Sequence, residues 1–309
     1  MKGLELAERS YRLYGEPMLK GQFPELFPKI AAGLIGGGSE VLGFDDEVSQ
    51  DHDFGPGFCL ILPDEDMVSR REAFLLERAY SKLPDVFEGF QREKLSPVGG
   101  NRQGVIRFSE FLEQKTGTPK GELDFYDWLR LPEQNLLEVT AGKIFTDESG
   151  FVTQVRKELS CPPEEVRLKK LAGNLLYAAQ SGIYNYERCL RHQETAAAQL
   201  AMADFAKAAM QCCFTLSGKY MPYYKWRFRA FRELLVFGHN AEGLEYLISQ
   251  PNKEENVKVK KDLVTNILDD ILAEAGFEKG TDPGRAAYEL NDRIRDGELR
   301  NLNILAAVE

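Results

Sequence analysis

The chain has 309 residues, 43% of them hydrophobic and 28% charged, and a formal net charge of −10. Such a composition fits a folded protein of about two domains and excludes a disordered chain, and the acidic balance excludes a protein that coats nucleic acid in bulk, although a local basic pocket is compatible with it. The start of the chain carries acids and no apolar leader, and no run of ~18 apolar residues occurs, so a cytoplasmic protein without a membrane partner is expected.

Leu4, Ala7, Tyr11 and Tyr14 recur at helical spacing and predict a first helix over 4–14. Pro17, Pro24 and Pro28 are then expected to break the chain up as far as Lys29. The apolar stretch Ile30 to Gly36 reads as a buried strand entering the turn Gly36-Gly37-Gly38-Ser39. A polar stretch follows, and Phe58 to Leu62 reads as a second strand paired with the first. Pro63-Asp64-Glu65-Asp66 has the chemistry of a helix start, and that helix should end near Lys82. Val105 to Phe108 and Lys143 to Phe145 are further strands, the latter followed by a turn at Asp147 to Gly150. From residue 162 the texture changes to long helical patterns: one opened by Pro162-Pro163-Glu164-Glu165, an alanine-rich one over 194–216, then 227–237 and 257–275. A mixed domain over 1–160 and an all-α helical domain over 161–309 are therefore expected, an α+β protein in all.

The chemistry concentrates in one stretch. Asp51 and Asp53 are two residues apart, so in extended chain both carboxylates point to one side. Carboxylates held that close repel unless a divalent cation lies between them, and oxygen-only ligands suit Mg²⁺. Before them, the glycines allow close backbone approach to an anion, and their amides with the Ser39 hydroxyl are suited to phosphate oxygens. A phosphate cradle beside a metal pair is the equipment of phosphoryl or nucleotidyl transfer, in which catalysis is mostly positioning and charge neutralisation. Either feature alone is common in tight turns and acidic loops; their joint occurrence between two apolar strands carries the reading.

Gly38-Ser39, eleven residues, then Asp51-His52-Asp53 resembles the signature of the DNA polymerase β-type nucleotidyltransferase superfamily. The longer string through Phe54-Gly55-Pro56, together with Gly182 to Arg188 and Tyr220 to Trp226, is similar to one bacterial branch of unknown function. The resemblance implies an αβ catalytic domain with a short mixed sheet followed by a helical substrate-binding domain, the layout of aminoglycoside nucleotidyltransferases. It also implies that Gly38 and Ser39 contact the triphosphate, ATP or another nucleoside triphosphate, and that Asp51 and Asp53 hold Mg²⁺. Two departures stand out: Gly55-Pro56-Gly57 interrupts the expected strand, and the third acid is ambiguous between Glu110 and Asp127, with Glu110 preferred for its closeness to a strand.

Other positions have a structural reading beside the functional one. His52 should face away from the acid pair. Asp45 and Asp46 read as a solvated turn, with a bracing role for Asp45 as the alternative. Tyr220 to Arg229 mixes aromatic and basic residues suited to a base and its phosphates, and Lys225 and Tyr223 are the candidate nucleotide contacts; a helix packed on its aromatic side is the other reading. Asn185, Arg188 and Arg191 either face a cleft or pair on the surface. The mixed charges of 252–262 read as a solvated loop and helix start. The five cysteines show no zinc or C-x-x-C spacing and are expected to be reduced, with Cys212 and Cys213 in the core. The expected activity is Mg²⁺-dependent transfer of a nucleoside monophosphate to a hydroxyl of a small-molecule or macromolecular acceptor. The rival readings are a nucleotide-binding regulatory module without catalysis and a toxin-antitoxin element that adenylylates a protein.

Overall fold

The computed structural model describes residues 1–48, 54–92 and 103–308. The chain is α+β and divides into two units, Met1–Leu123 with Asn135–Ser160, and Asp124–Gln134 with Cys161–Glu309.

The first unit begins with α1 (Gly3–Ser10), a π-helical turn (Tyr11–Gly15) and α2 (Glu16–Gln22). Pro17 does not break this run as expected. It lies in the first turn of α2, directly after the wider π turn, where the missing N–H leaves no gap in the ladder. Tyr11 is buried, its ring edge-on to Phe58 at 5.4 Å, and Gly15 lets the helix approach so closely that a Cβ there would stand 2.5 Å from the Phe58 ring.

Next come β1 (Ala31–Leu34), α3 (Ser39–Leu42), β2 (Cys59–Leu62), α4 (Arg70–Tyr80), the small hairpin β3 (Val86–Phe87) and β4 (Phe90–Gln91), β5 (Gly104–Arg107) and α5 (Phe108–Thr116). After α6 (Phe125–Arg130), which belongs to the second unit, α7 (Glu133–Thr140), β6 (Lys143–Thr146) and α8 (Phe151–Glu158) follow. The sheet order is β5-β2-β1-β6; β1 is antiparallel to both neighbours and β2 runs parallel to β5. Every residue of β1 and β2 is buried, which is why both read as continuous apolar runs and not as alternating ones.

The acids at 64–66 do not start a helix. They form a turn in which the Met67 and Val68 amides donate to the Asp64 carbonyl, each at 3.1 Å. α4 starts at Arg70 because Ser69 and Glu72 make a capping box: the Glu72 amide donates to Ser69 Oγ at 3.3 Å and the Ser69 amide to Glu72 Oε2 at 2.8 Å. Asp45 is likewise no solvated residue. It is 3% exposed, its Oδ2 accepts the Gly3 amide at 2.8 Å and its Oδ1 pairs with Lys2 Nζ at 3.5 Å, so it braces the chain start against the loop after α3. Asp46 is exposed and accepts the Val48 amide. At the end of α7, Arg156 donates to the carbonyls of Val139, Thr140, Ala141 and Gly142 and thereby satisfies groups the helix leaves open.

Among the described residues the second unit is helical throughout: α6, α9 (Glu164–Ala179), a π-helical turn (Gln180–Asn185), α10 (Tyr186–Arg191), α11 (Thr195–Leu216), α12 (Tyr224–Arg232), α13 (Ala241–Ser249), α14 (Glu254–Glu274), α15 (Pro283–Asp292) and α16 (Gly297–Asn301). α12 lies three residues earlier than the 227 start expected from periodicity, because Tyr223 in extended conformation sets its beginning. The core gathers Leu171, Leu175, Phe205, Phe214, Phe231 and Ile267, with Cys212 and Cys213 fully buried among them. All five cysteines are free; Cys161 is exposed.

Three lysines point inward here. Lys170 Nζ pairs with Glu133 Oε1 at 3.3 Å, and the other oxygen of Glu133 accepts the Met221 amide at 2.9 Å. Lys169 is fully buried and donates to Asn291 Oδ1 and to the carbonyls of Arg300 and Leu302. Lys260, in the segment read as solvated, is also fully buried; its ammonium donates to Gln199 Oε1, the Gln250 carbonyl and Asn252 Oδ1 at 2.6–2.8 Å. Burial pushes both ammonium groups below their ordinary pKa. Among the described residues no helix is long and apolar enough to cross a membrane.

Candidate functional site

The glycine turn leaves the sheet at the end of β1. Gly33 pairs with Cys59 of β2, which pairs in turn with Gly104 of β5, so the turn emerges beside the chain entering β2 and β5. Its conformation needs glycine: φ is +98° at Gly36 and +142° at Gly38. The Gly36 amide donates to the Glu138 carbonyl at 3.0 Å, which fixes the turn on α7. Ser39 opens α3 half-buried, and its hydroxyl makes no hydrogen bond to a described residue.

Charged side chains that periodicity does not single out surround this turn. The buried Glu40 brings its carboxylate to Gly38, where a Cβ would stand 2.5 Å from Oε1. The carboxylate of Glu138 lies beside Gly37, 3.2 Å from where a Cβ would be, and pairs through Oε2 with Lys115 Nζ at 2.5 Å. The Phe111 ring reaches to 3.8 Å of the Cβ position on Gly36. Lys115 and Glu138 are far apart in sequence and from the turn, so only the packing of α5 and α7 unites them. Glu40 adjoins the motif and was legible as an acid; its burial was not. Cys59, at the start of β2, is enclosed, and burial pushes its thiol up to about 12.

Asp51, His52 and Asp53 lie outside the described residues. Among the described residues no three His, Cys, Asp or Glu side chains gather as a metal-holding group. The two third-acid candidates belong to different units. α5 leaves β5 at the opposite end, where Leu62 pairs with Arg107, and Glu110 in its first turn lines a cleft there with Leu62 and Arg70. Asp127 belongs to the second unit, and its carboxylate is engaged in a capping box: it accepts the Asp124 amide at 3.1 Å while the Asp127 amide donates to Asp124 Oδ1 at 2.8 Å.

Lys225 and Tyr223 also belong to the second unit. The Tyr223 amide donates to Gln134 Oε1 at 2.7 Å, and its ring packs on Tyr224 with centroids 4.3 Å apart. The Lys225 ammonium sits 4.9 Å from the centre of the Trp226 ring, with the Arg229 guanidinium over the same ring at 5.7 Å. Phe231 faces the core and Tyr224 faces solvent, so α12 packs by its apolar side and presents aromatic and basic groups outward. Of the arginines of α10, Arg191 pairs with Glu187 at 2.9 Å and Arg188 donates to the Tyr184 hydroxyl, which is surface pairing.

The chain is similar over residues 128–227 to a domain of unknown function, DUF4037. That stretch runs from the middle of α6 to the first turn of α12, including the Glu133–Lys170 pair, and does not reach the glycine turn. No curated protein and no solved structure matches the chain.

Proposed function

We propose that this chain is an Mg²⁺-dependent nucleotidyltransferase of the DNA polymerase β type, moving a nucleoside monophosphate from a triphosphate such as ATP to a hydroxyl of an acceptor. The observation that carries the reading is the glycine turn. Positive φ at Gly36 and Gly38 and a Ser39 hydroxyl with no hydrogen-bond partner among the described residues make it a suitable seat for phosphate oxygens, at the end of an antiparallel strand pair beside the residues that lead into β2. In sequence the acid pair Asp51 and Asp53 stands in the connection between that turn and β2.

The charges around the turn favour a metal-assisted reaction. A triphosphate, itself a polyanion, meets the carboxylates of Glu40 and Glu138 here, the second of them paired with Lys115. Further positive charge is required, and oxygen ligands from Asp51 and Asp53 fit Mg²⁺. When bound, Mg²⁺ neutralises phosphate charge and orients the acceptor oxygen. The chain's own part is to orient the triphosphate through the turn amides and Ser39. The acceptor oxygen bonds to the α-phosphorus, the bond to the bridging oxygen breaks, pyrophosphate leaves, and the acceptor proton passes to a carboxylate.

The test is the double variant Asp51→Asn/Asp53→Asn, assayed for Mg²⁺-dependent pyrophosphate release from ATP across an acceptor panel. Release by the native chain that vanishes in the variant is the expected result; unchanged turnover sinks the reading. Mg²⁺-dependent nucleotide binding by calorimetry, with no pyrophosphate released from the native chain, points instead to a nucleotide-binding module.

A further inference from the structure

The exposed edge of the sheet in the first unit is shaped to receive another strand. β5 pairs with β2 on one side only, and its other edge has no strand partner among the described residues. The Gly104 amide points toward β2, donating to the Phe58 carbonyl at 2.9 Å. Successive residues of a strand turn their backbone groups to opposite sides, so the N–H and C=O of Val105 and the N–H of Arg107 point outward at the open edge.

A cleft of about 610 Å³ lies along that edge. Val105, Ile106 and Arg107 all line it, although neighbouring side chains of a strand point to opposite faces. A cavity that touches three consecutive residues meets the backbone edge of β5, and through Leu62 it also reaches the end of β2 where Leu62 pairs with Arg107. One wall is α4, which contributes Arg70, Ala73, Phe74 and Glu77, a single helical face by their spacing. The other wall is α5, through Glu110 and Phe111.

The walls specify the occupant. Arg70 is occupied by Glu65 at 2.7 Å, and the Arg107 guanidinium is turned to the carbonyls of Pro63 and Val68. Glu77 and Glu110 make no ion pair with a described residue, although Glu110 lies within electrostatic reach of Arg70, and Phe74 is 56% exposed. We infer that this slot binds an extended peptide segment that adds a strand to β5 and carries basic side chains toward Glu77 and Glu110, with apolar ones between them against Phe74 and Phe111. Backbone pairing supplies the affinity and the alternate side chains the selectivity, as in other strand-addition sites. The inference is independent of the nucleotidyltransferase reading.

The test uses the full chain and a short fluorescent peptide in which paired lysines alternate with paired valines, so that lysines reach both walls, followed by anisotropy and by amide hydrogen exchange. The peptide is expected to bind, to slow exchange at Val105 and Arg107, and to bind the double variant Glu77→Lys/Glu110→Lys about ten-fold or more weakly. A glutamate-valine peptide and a lysine-valine peptide N-methylated at alternate residues are expected not to bind. Absence of binding, equal binding of the N-methylated peptide, or no slowing at those two amides overturns the proposal. Slowing that appears without peptide and grows with protein concentration assigns the edge to a second copy of the chain and overturns it as well.

Discussion

Glu133 keeps an anion inside the helical unit because two donors meet it there, the Lys170 ammonium and the Met221 amide. Its charge also helps burial to push the Tyr220 phenol far above the ordinary value. Removing one partner of such a pair leaves the other buried and uncompensated, which costs about 3–5 kcal/mol. Glu133→Ala is therefore expected to lower the free energy of unfolding in urea by that order, while Glu133→Met/Lys170→Met recovers much of the loss. A single variant indistinguishable from the native chain in equilibrium unfolding removes the buried pair from the account. The residues involved lie up to 88 positions apart, so neither the pair nor its importance was legible along the chain. The same holds for Asp45 and Lys260: each reads as a surface charge, and each is buried because its partner, Gly3 or Gln199, is brought from a distant segment.

Local signals at the level of elements fared according to how local their causes are. The apolar runs of β1 and β2 and the alanine-rich α11 were legible because burial on all sides leaves its mark in consecutive residues. The start of α4 was misread because acids at 64–66 imitate a first turn, whereas the reciprocal bonds of Ser69 and Glu72 decide it. The glycine turn was legible as a turn, since glycines in a row announce backbone angles closed to other residues, but the carboxylates and the lysine around it come from α3, α5 and α7 and required the packing. Arg156 is a prediction at this level. Its guanidinium, drawn below its ordinary pKa by burial yet still a cation, serves four carbonyls at the end of α7 and the approach to β6. Arg156→Ala leaves these acceptors without that donor and is expected to cost about 2–3 kcal/mol. Thermal unfolding reads the loss, and a shift within error of zero would assign those carbonyls to water.

For the molecule as a whole, alkali is the sensitive direction. The Tyr80 hydroxyl donates to the Phe58 carbonyl at 2.8 Å and accepts the Phe58 amide, and burial pushes its pKa from 10.0 up to about 12. The thiol of Cys59 moves from 9.0 to about 12 for the same reason. A folded-state pKa above the unfolded one means that the unfolded chain loses its proton first. The stability linked to both groups is complete below about pH 9 and is lost as pH climbs toward about 12. Urea unfolding at about pH 8 and about pH 11 should show a marked fall, and Cys59→Val with Tyr80→Phe should reduce it, the remainder belonging to other buried groups such as Tyr186 and Cys212 whose pKa burial also raises; an equal fall in that double variant would place the sensitivity in those groups alone.

The two buried lysines that face only neutral oxygens differ in kind from Lys170. Exchanging Lys170 for an apolar residue strands an anion, but exchanging Lys169 or Lys260 strands nothing worse than amide oxygens, which a trapped water is able to serve. Redesign of the helical unit therefore has two interior positions where a charge can be retired alone, and one where anion and cation have to be retired as a couple.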